Sequence, residues 1–404
     1  MTQTLFLQAL RAALLNQSTD WQEVSPEQWQ ALFSMAESHQ VLPLVYQAVA
    51  GCPAAAQNRE FFAQLRGPVF QEVAIQTRKT AEFYGILKKL QKGGVHPLIV
   101  KGVICRSLYP NPDLRPSSDE DLWICTDEIP LCREILAQAG MVCVSSEDSE
   151  ELAFGKRGSP LYLEVHEHLF PSDSAAYGDL NELFRDAREN AVTAVVDGVK
   201  IPTLSHTDHL FYLILHAFKH FLHSGFGLRQ VADVCMYANA YGQQVDWAQM
   251  LASCRRVRAH KFAAAMLKIG EKCLTFSPEK ANLPACWQEL EVDEGPMLRD
   301  LLQAGVFGDA DQSRIHSSTV TLSAVTAQKT GGKASLRTSL FPSAKSLEGR
   351  YPYLRRNPWL LPAAWTSRIF HYLTDPKGAS GAGESLRLGQ ERVEMFREYD
   401  ILDS

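Results

Sequence analysis

The chain has 404 residues, and at roughly 150 residues per domain that length predicts two or three domains. Hydrophobic residues make up 46% and charged residues 21%, which excludes wholesale disorder and leaves material for a sizeable core. The 40 Lys+Arg against 46 Asp+Glu give a net charge of −6, which excludes general electrostatic binding to DNA or to an anionic membrane, a local basic patch apart. Nine cysteines, an odd number with no CxxC pair, exclude a zinc ribbon and a thioredoxin-type redox pair. Scattered and mostly flanked by apolar residues, they predict buried free thiols in a reducing cytosol. The N-terminus lacks a basic segment followed by a continuous apolar core, so no signal peptide is expected. No stretch approaches about 18 uninterrupted apolar residues, so no membrane span is expected and the predicted location is the cytoplasm.

Residues 1–92 read as a helical segment. Leu5, Leu7, Leu10 and Leu14 recur on one face, Ser25-Pro26-Glu27 forms a helix start, and a longer helical pattern from about Glu60 to Lys92 closes at Gly93-Gly94. The period then changes, and residues 93–204 read as a mixed α/β module. A buried strand, His96 to Val100, stops at Lys101-Gly102, and a short helix runs to about Tyr109 before a Pro/Asn-rich loop. The strand Asp121 to Cys125, a helix Ile129 to Ala139 and a strand Met141 to Val144 follow. Leu152 to Phe154 and Leu161 to His166 read as a hairpin around Gly158-Ser159-Pro160, and Val192 to Val199 adds a strand around Asp197-Gly198. Helices return over 205–310. Residues 311–348, Ser/Thr-rich and basic, read as a flexible linker whose Gly331-Gly332-Lys333 is no Walker A loop. Residues 349–404 are helical again, with a Gly-rich break from Lys377 to Gly383. The aromatic run Tyr351, Tyr353, Trp359 and Trp365 is expected to pack the core there.

The chemistry concentrates at Asp119 and Asp121. At the start of a strand, period 2 puts both side chains on one face, and two carboxylates so close repel unless a cation lies between them. Hard oxygen ligands suit Mg²⁺ or Mn²⁺. A third carboxylate on a neighbouring strand completes a two-metal site for in-line phosphoryl chemistry, and Glu164, an acid inside an apolar strand, is the candidate. His166 lies on the same side as Glu164, where it is either an outer partner of that acid or a satisfied structural histidine. In the helix over 205–222, His209, His216, His220 and His223 fall near one stripe, and His216 with His220 has ligand-compatible spacing. This is not HExxH, because Ala217 and Phe218 follow His216. The favoured reading has His216, Lys219 and His220 lining a cleft opposite the carboxylates and touching substrate phosphates. Plain interhelical packing and a zinc site on the stripe are the alternatives. Arg229 and Asp233, four apart, read as an intrahelical ion pair.

A strand ending in Gly, a helix, Asp-x-Asp opening the next strand and a lone acid on a later strand resemble the polymerase-beta-type nucleotidyltransferase superfamily. More closely, Val100-Lys101-Gly102, Tyr109-Pro110, Arg115 and Asp119-x-Asp121-Leu122 resemble the bacterial group of uncharacterised nucleotidyltransferases, and Glu164-Val165-His166, Leu215 to His220, Asp233 and Asp246-Trp247 add to the likeness. The resemblance implies an α+β fold: a minimal nucleotidyltransferase core, a mixed sheet with helices, flanked by N- and C-terminal helical regions. It implies transfer of a nucleoside monophosphate from an NTP donor to an acceptor, with Asp119 and Asp121 holding Mg²⁺ (or Mn²⁺) and Glu164 completing the second metal site or acting as base. Gly102 would let the backbone approach a phosphate, and Lys101 or Arg115 would neutralise developing charge. The superfamily's Gly-Ser at the end of the first strand is replaced here by Lys101-Gly102-Val103, and Glu120 and Trp123 stand where apolar residues are usual. The missing serine keeps open a catalytically degenerate protein that binds or senses nucleotide. A metal-dependent hydrolase built on the histidine stripe is a further alternative. The acceptor class, whether small molecule, sugar, RNA or protein, is not legible.

Overall fold

An apolar stripe of Phe6, Ala9, Leu10, Ala13 and Leu14 folds the start of the chain into α1 (Thr2–Leu14). The computed structural model describes residues 2–145, 151–172, 174, 177–223, 225–304, 347, 351–355, 357–374 and 378–403. In α2 (Pro26–Ser38) the Ser25 hydroxyl accepts the Gln28 N–H, the Gln28 side chain accepts the Ser25 N–H, and Pro26 occupies the first turn. Then come α3 (Leu42–Val49), α4 (Pro53–Gln57) and the long α5 (Arg59–Lys92). Trp29, fully buried, meets Phe62 edge-on at 4.9 Å between ring centroids, and Phe33, Phe61 and Tyr46 extend this aromatic cluster. The inner stripe of α5 runs Gln76, Lys79, Phe83, Leu87, Leu90, an apolar face with two polar members.

The sheet follows the order β1-β2-β5-β4-β3: β1 (Leu98–Val100), β2 (Glu120–Trp123), β5 (Tyr162–His166), β4 (Glu151–Gly155) and β3 (Val142–Cys143). All neighbours are antiparallel except β2 and β5. Parallel neighbours need a long crossover, supplied here by α7 (Ile129–Gln138), β3 and β4. The register pairs Asp121 with both Val100 and Glu164, so the two predicted acids stand side by side. Alternation does the rest. Asp121, Glu164 and His166 project from one face, while Glu120, Leu122, Leu163 and Val165 project from the other. The expected strand around Asp197-Gly198 is a separate hairpin, β6 (Val192–Val196) with β7 (Val199–Thr203), because both turn residues take positive φ.

The described residues divide into two compact units, Met1–Ser174 with Gly178–His216 and Gly227–Glu294, and Ala175–Tyr177 with Ala217–Phe226 and Gly295–Ser404. In the first, the core is followed by α8 (His206–His223) up to His216, α9 (Leu228–Tyr241), α10 (Trp247–Arg256) and α11 (His260–Cys273). In the second, Phe221 packs against Phe396 at 4.9 Å and Arg392 lies over both rings. Leu347, Leu354 and Ala364 form a small cluster there that Tyr351 and Trp365 join. Tyr353 and Trp359 do not pack as expected. Tyr353 sits on a 3₁₀ turn that buries Leu354 instead, Trp359 sits on a second turn that buries none of its residues, and the two are 39% and 75% exposed. The expected Gly-rich break is largely helical, since a helix spans Gly378–Glu398. The expected linker 311–348 lies outside the described residues, Leu347 excepted. All nine cysteines are free thiols, but only Cys52, Cys105, Cys132, Cys235 and Cys254 are buried as expected, Cys286 being exposed, and among the described residues no helix is long and apolar enough to cross a membrane. Truncating Trp29 to Ala should lower stability by about 3–5 kcal/mol, read by denaturant unfolding, because the aromatic cluster cannot collapse onto so large a void.

Candidate active site

At the end of β1 the chain turns directly into α6 (Gly102–Arg106). Lys101 makes this turn at φ +55°, ψ −128°, a conformation that disfavours a side chain. Such a residue persists only where its surroundings over-determine it. Here His209 of α8 accepts the Lys101 N–H on Nε2 at 3.2 Å, and its Nδ1 faces Thr203 Oγ1 at 3.1 Å. The Thr203 hydroxyl in turn donates to the Ile99 carbonyl at 2.6 Å. Burial pushes His209 down to about 3, so the ring is neutral and Nε2 is free to accept.

The back face of β2 explains the residue between the two aspartates. Glu120 is fully buried, with Arg106 Nη1 at 2.8 Å from its Oε1 and the Val103 N–H donating to its Oε2 at 2.9 Å. Gly102 is obligatory at this point for an internal reason: a Cβ there would stand 2.0 Å from Glu120 Oε2. Beneath, Lys79 of α5 donates to the Ser117 and Ser118 carbonyls and fixes the loop that delivers Asp119; burial pushes its ammonium down to about 8.

The front face holds a second cluster of ionisable groups. Asp121 is 1% exposed; its Oδ2 lies 3.0 Å from Lys101 Nζ without hydrogen-bond alignment, and its Oδ1 is 3.1 Å from His166 Nε2. Lys101 Nζ also meets His216 Nε2 at 3.2 Å. Glu164 Oε2 is 3.8 Å from His166 Nε2. Burial first, then the charges of Asp119 and Asp121, push Glu164 up to about 7. Burial opposes the charge of Asp121 as well, but Lys101 and His166 hold it down to about 2. One ligand atom each from Asp121, Glu164 and His166 lie within 4.8 Å of one another, a donor set that fits a divalent cation.

The structure thus gathers Lys101, Asp121, Glu164, His166 and His216, with Asp119 half-buried just before β2. Arg115 is directed elsewhere. It is buried and donates from Nε and Nη2 to Asp233, which also accepts from the Tyr109 hydroxyl. That corrects the intrahelical Arg229–Asp233 pair, since Arg229 donates to the Pro116 carbonyl instead. Lys219 and His220 belong to the second unit. The histidine stripe is divided: His209 locks the Lys101 turn and His216 faces Lys101, while the metal-compatible group among the described residues is Asp121, Glu164 and His166.

The chain belongs to a family described as uncharacterised nucleotidyltransferase, which it matches over residues 25–275, more than half its length. Among solved structures, an antigenic nucleotidyltransferase-like protein from Paracoccidioides brasiliensis is similar at 14% identity and a TM-score of 0.32, over 51% of this chain and 97% of the other. No curated protein matches.

Lys79 and Arg106 are structural members of the site that sequence reasoning did not single out, and the structural roles of Glu120 and His209 are not legible from their places in the strand and the stripe. A signal existed for Lys79, a lysine at apolar spacing between Gln76 and Phe83. Gly102→Ala should unfold at markedly lower temperature, and Glu120→Ala should lose about 3–5 kcal/mol because Arg106 is left buried without its partner. Glu164 binds its proton more tightly folded than unfolded, so its favourable contribution is full below pH 4.5 and is lost as pH rises through about 7. Glu164→Gln should therefore raise the metal-free melting temperature at pH 8 and leave it nearly unchanged at pH 5, as thermal scans would record.

Proposed function

We propose that the chain transfers a nucleoside monophosphate from an NTP to an acceptor hydroxyl or phosphate and releases pyrophosphate. The observation that carries this reading is the register of β2 and β5, which sets Asp121 beside Glu164 with Asp119 next to them. Asp119, Asp121 and Glu164 would hold Mg²⁺ or Mn²⁺, which when bound orients the α-phosphate and stabilises the charge of the leaving pyrophosphate. Asp121, ionised at any physiological pH, is the constant ligand. Glu164 carries a proton part of the time at neutrality and gives it up as a cation enters. Lys101, already cationic beside Asp121, is the side chain placed to meet a phosphate, whereas Arg115 is buried with its Nε and Nη2 turned to Asp233.

One observation favours the second reading, nucleotide binding without transfer. In the superfamily the strand-to-helix turn offers backbone amides to phosphate. Here the amides of Lys101 and Val103 are already taken by His209 and Glu120. Phosphate recognition then rests on side chains, Lys101 and His216 foremost.

Thermal unfolding with each NTP and Mg²⁺ or Mn²⁺ tests both readings. Ligand at about 100 times its dissociation constant should add about 2.7 kcal/mol, and the shift should vanish in Asp119→Ala/Asp121→Ala. Pyrophosphate release then separates transfer from mere binding. Where turnover occurs, Asp121→Asn should lower kcat by a factor on the order of 10²–10³. Cation affinity should rise about tenfold per pH unit up to pH 7 and flatten above it, because one proton leaves Glu164 on binding. Titration calorimetry at pH 6, 7 and 8 (roughly spanning that group's range) reads this directly.

A further inference from the structure

The two oxygens of Asp121 serve different partners. Oδ2 is engaged by Lys101, which leaves Oδ1 as the oxygen turned toward the rest of the cluster, and the atom waiting there is the imidazole nitrogen of His166 at 3.1 Å. The same nitrogen lies 3.8 Å from Glu164 Oε2. A cation placed among these atoms would therefore meet nitrogen as well as oxygen. Magnesium takes oxygen ligands and sheds water reluctantly, whereas imidazole suits Zn, Cu, Fe and Ni best, and Mn²⁺, the most oxygen-seeking of the first-row ions, stands above Mg²⁺ in accepting nitrogen.

For Nε2 to present a lone pair, the ring proton has to sit on Nδ1. That atom is buried without a hydrogen bond, and the nearest carboxylate oxygen is Glu151 Oε1 at 3.8 Å. The proximity is built into the sheet, because β4 pairs Glu151 directly with His166. A small side-chain movement of Glu151 would close a carboxylate–imidazole pair of the kind that orients metal-binding histidines.

We propose that this site takes a first-row transition ion, with Mn²⁺ as its representative, in preference to Mg²⁺, and that His166 Nε2 is a ligand alongside Asp121 and Glu164 while Glu151 orients the ring through Nδ1. The inference rests on the reading above that these carboxylates hold a cation. It adds the ligand that decides which cation. Glu151 is a positioning residue, and His166 a ligand.

The test is Mn²⁺ binding to the full chain followed by electron paramagnetic resonance, without nucleotide. Pulsed spectra of wild type made with isotope-labelled histidine should show coupling from one histidine nitrogen. Mg²⁺ should displace the Mn²⁺ only in at least about tenfold excess. His166→Gln should abolish the coupling and weaken Mn²⁺ by about 10–100-fold, with Mg²⁺ affinity changed by less than about twofold. Glu151→Gln should keep the coupling and weaken Mn²⁺ by about tenfold. Bound Mn²⁺ with no histidine coupling in wild type overturns the inference. That measurement needs no variant, so a misfolded His166→Gln cannot obscure it. If such Mn²⁺ is lost in Asp121→Asn, the carboxylate site still stands and only the nitrogen ligand is wrong. If neither ion binds, with or without NTP, both readings fail together.

Discussion

A carboxylate sealed away from water must be answered by a cation, and β2 imposes that requirement twice, on opposite faces of one strand. On the back, Glu120 is answered by Arg106 at 2.8 Å, and its second oxygen caps the Val103 amide. On the front, Asp121 is answered by Lys101 at 3.0 Å. The two pairs share the turn at residues 101–102. Gly102 lies under the Glu120 carboxylate, and Lys101 meets Asp121 from a positive-φ conformation whose amide donates to His209, itself held by Thr203. The front pair is therefore held in place by the back one.

This division also separates the proton affinities of two neighbouring acids. Asp121 and Glu164 stand in register, yet the first has Lys101 and His166 beside it while the second faces two negative charges from a half-buried position. Divergent environments on adjacent strands give one permanently charged group and one that titrates near neutrality.

The sequence carried the strands and the acids because their signals are local. Asp119 and Asp121 open an apolar run at period 2, Glu164 interrupts one, and Lys101-Gly102 ends one. What it did not carry are pairings between distant segments. Arg229 and Asp233 sit four apart, which invites an intrahelical pair, but the partner of Asp233 is Arg115, more than a hundred residues earlier. Glu120 looked like a departure inside an apolar strand, since Arg106 becomes its partner only after β1 and β2 pair and α6 folds back. Tyr353 and Trp359 share the aromatic character of Tyr351 and Trp365 but fall within short 3₁₀ turns, whereas Tyr351 precedes one and Trp365 lies on the helix Leu361–Thr374.

The parallel pairing of β2 with β5 has a consequence for how the molecule is made. Every other neighbour in the sheet meets its partner antiparallel, but Asp121 meets Glu164 only after the intervening helix and two strands have been accommodated. Contacts of such sequence separation close late, because chain entropy must be surrendered before they return any energy. During synthesis the nascent chain would expose β1 and β2 with their paired charges well before β5 emerges, and His209 follows later still. A chaperone or protease meeting the growing polypeptide would find an edge of β2 open until β5 arrives, and the strained lysine turn is secured later still.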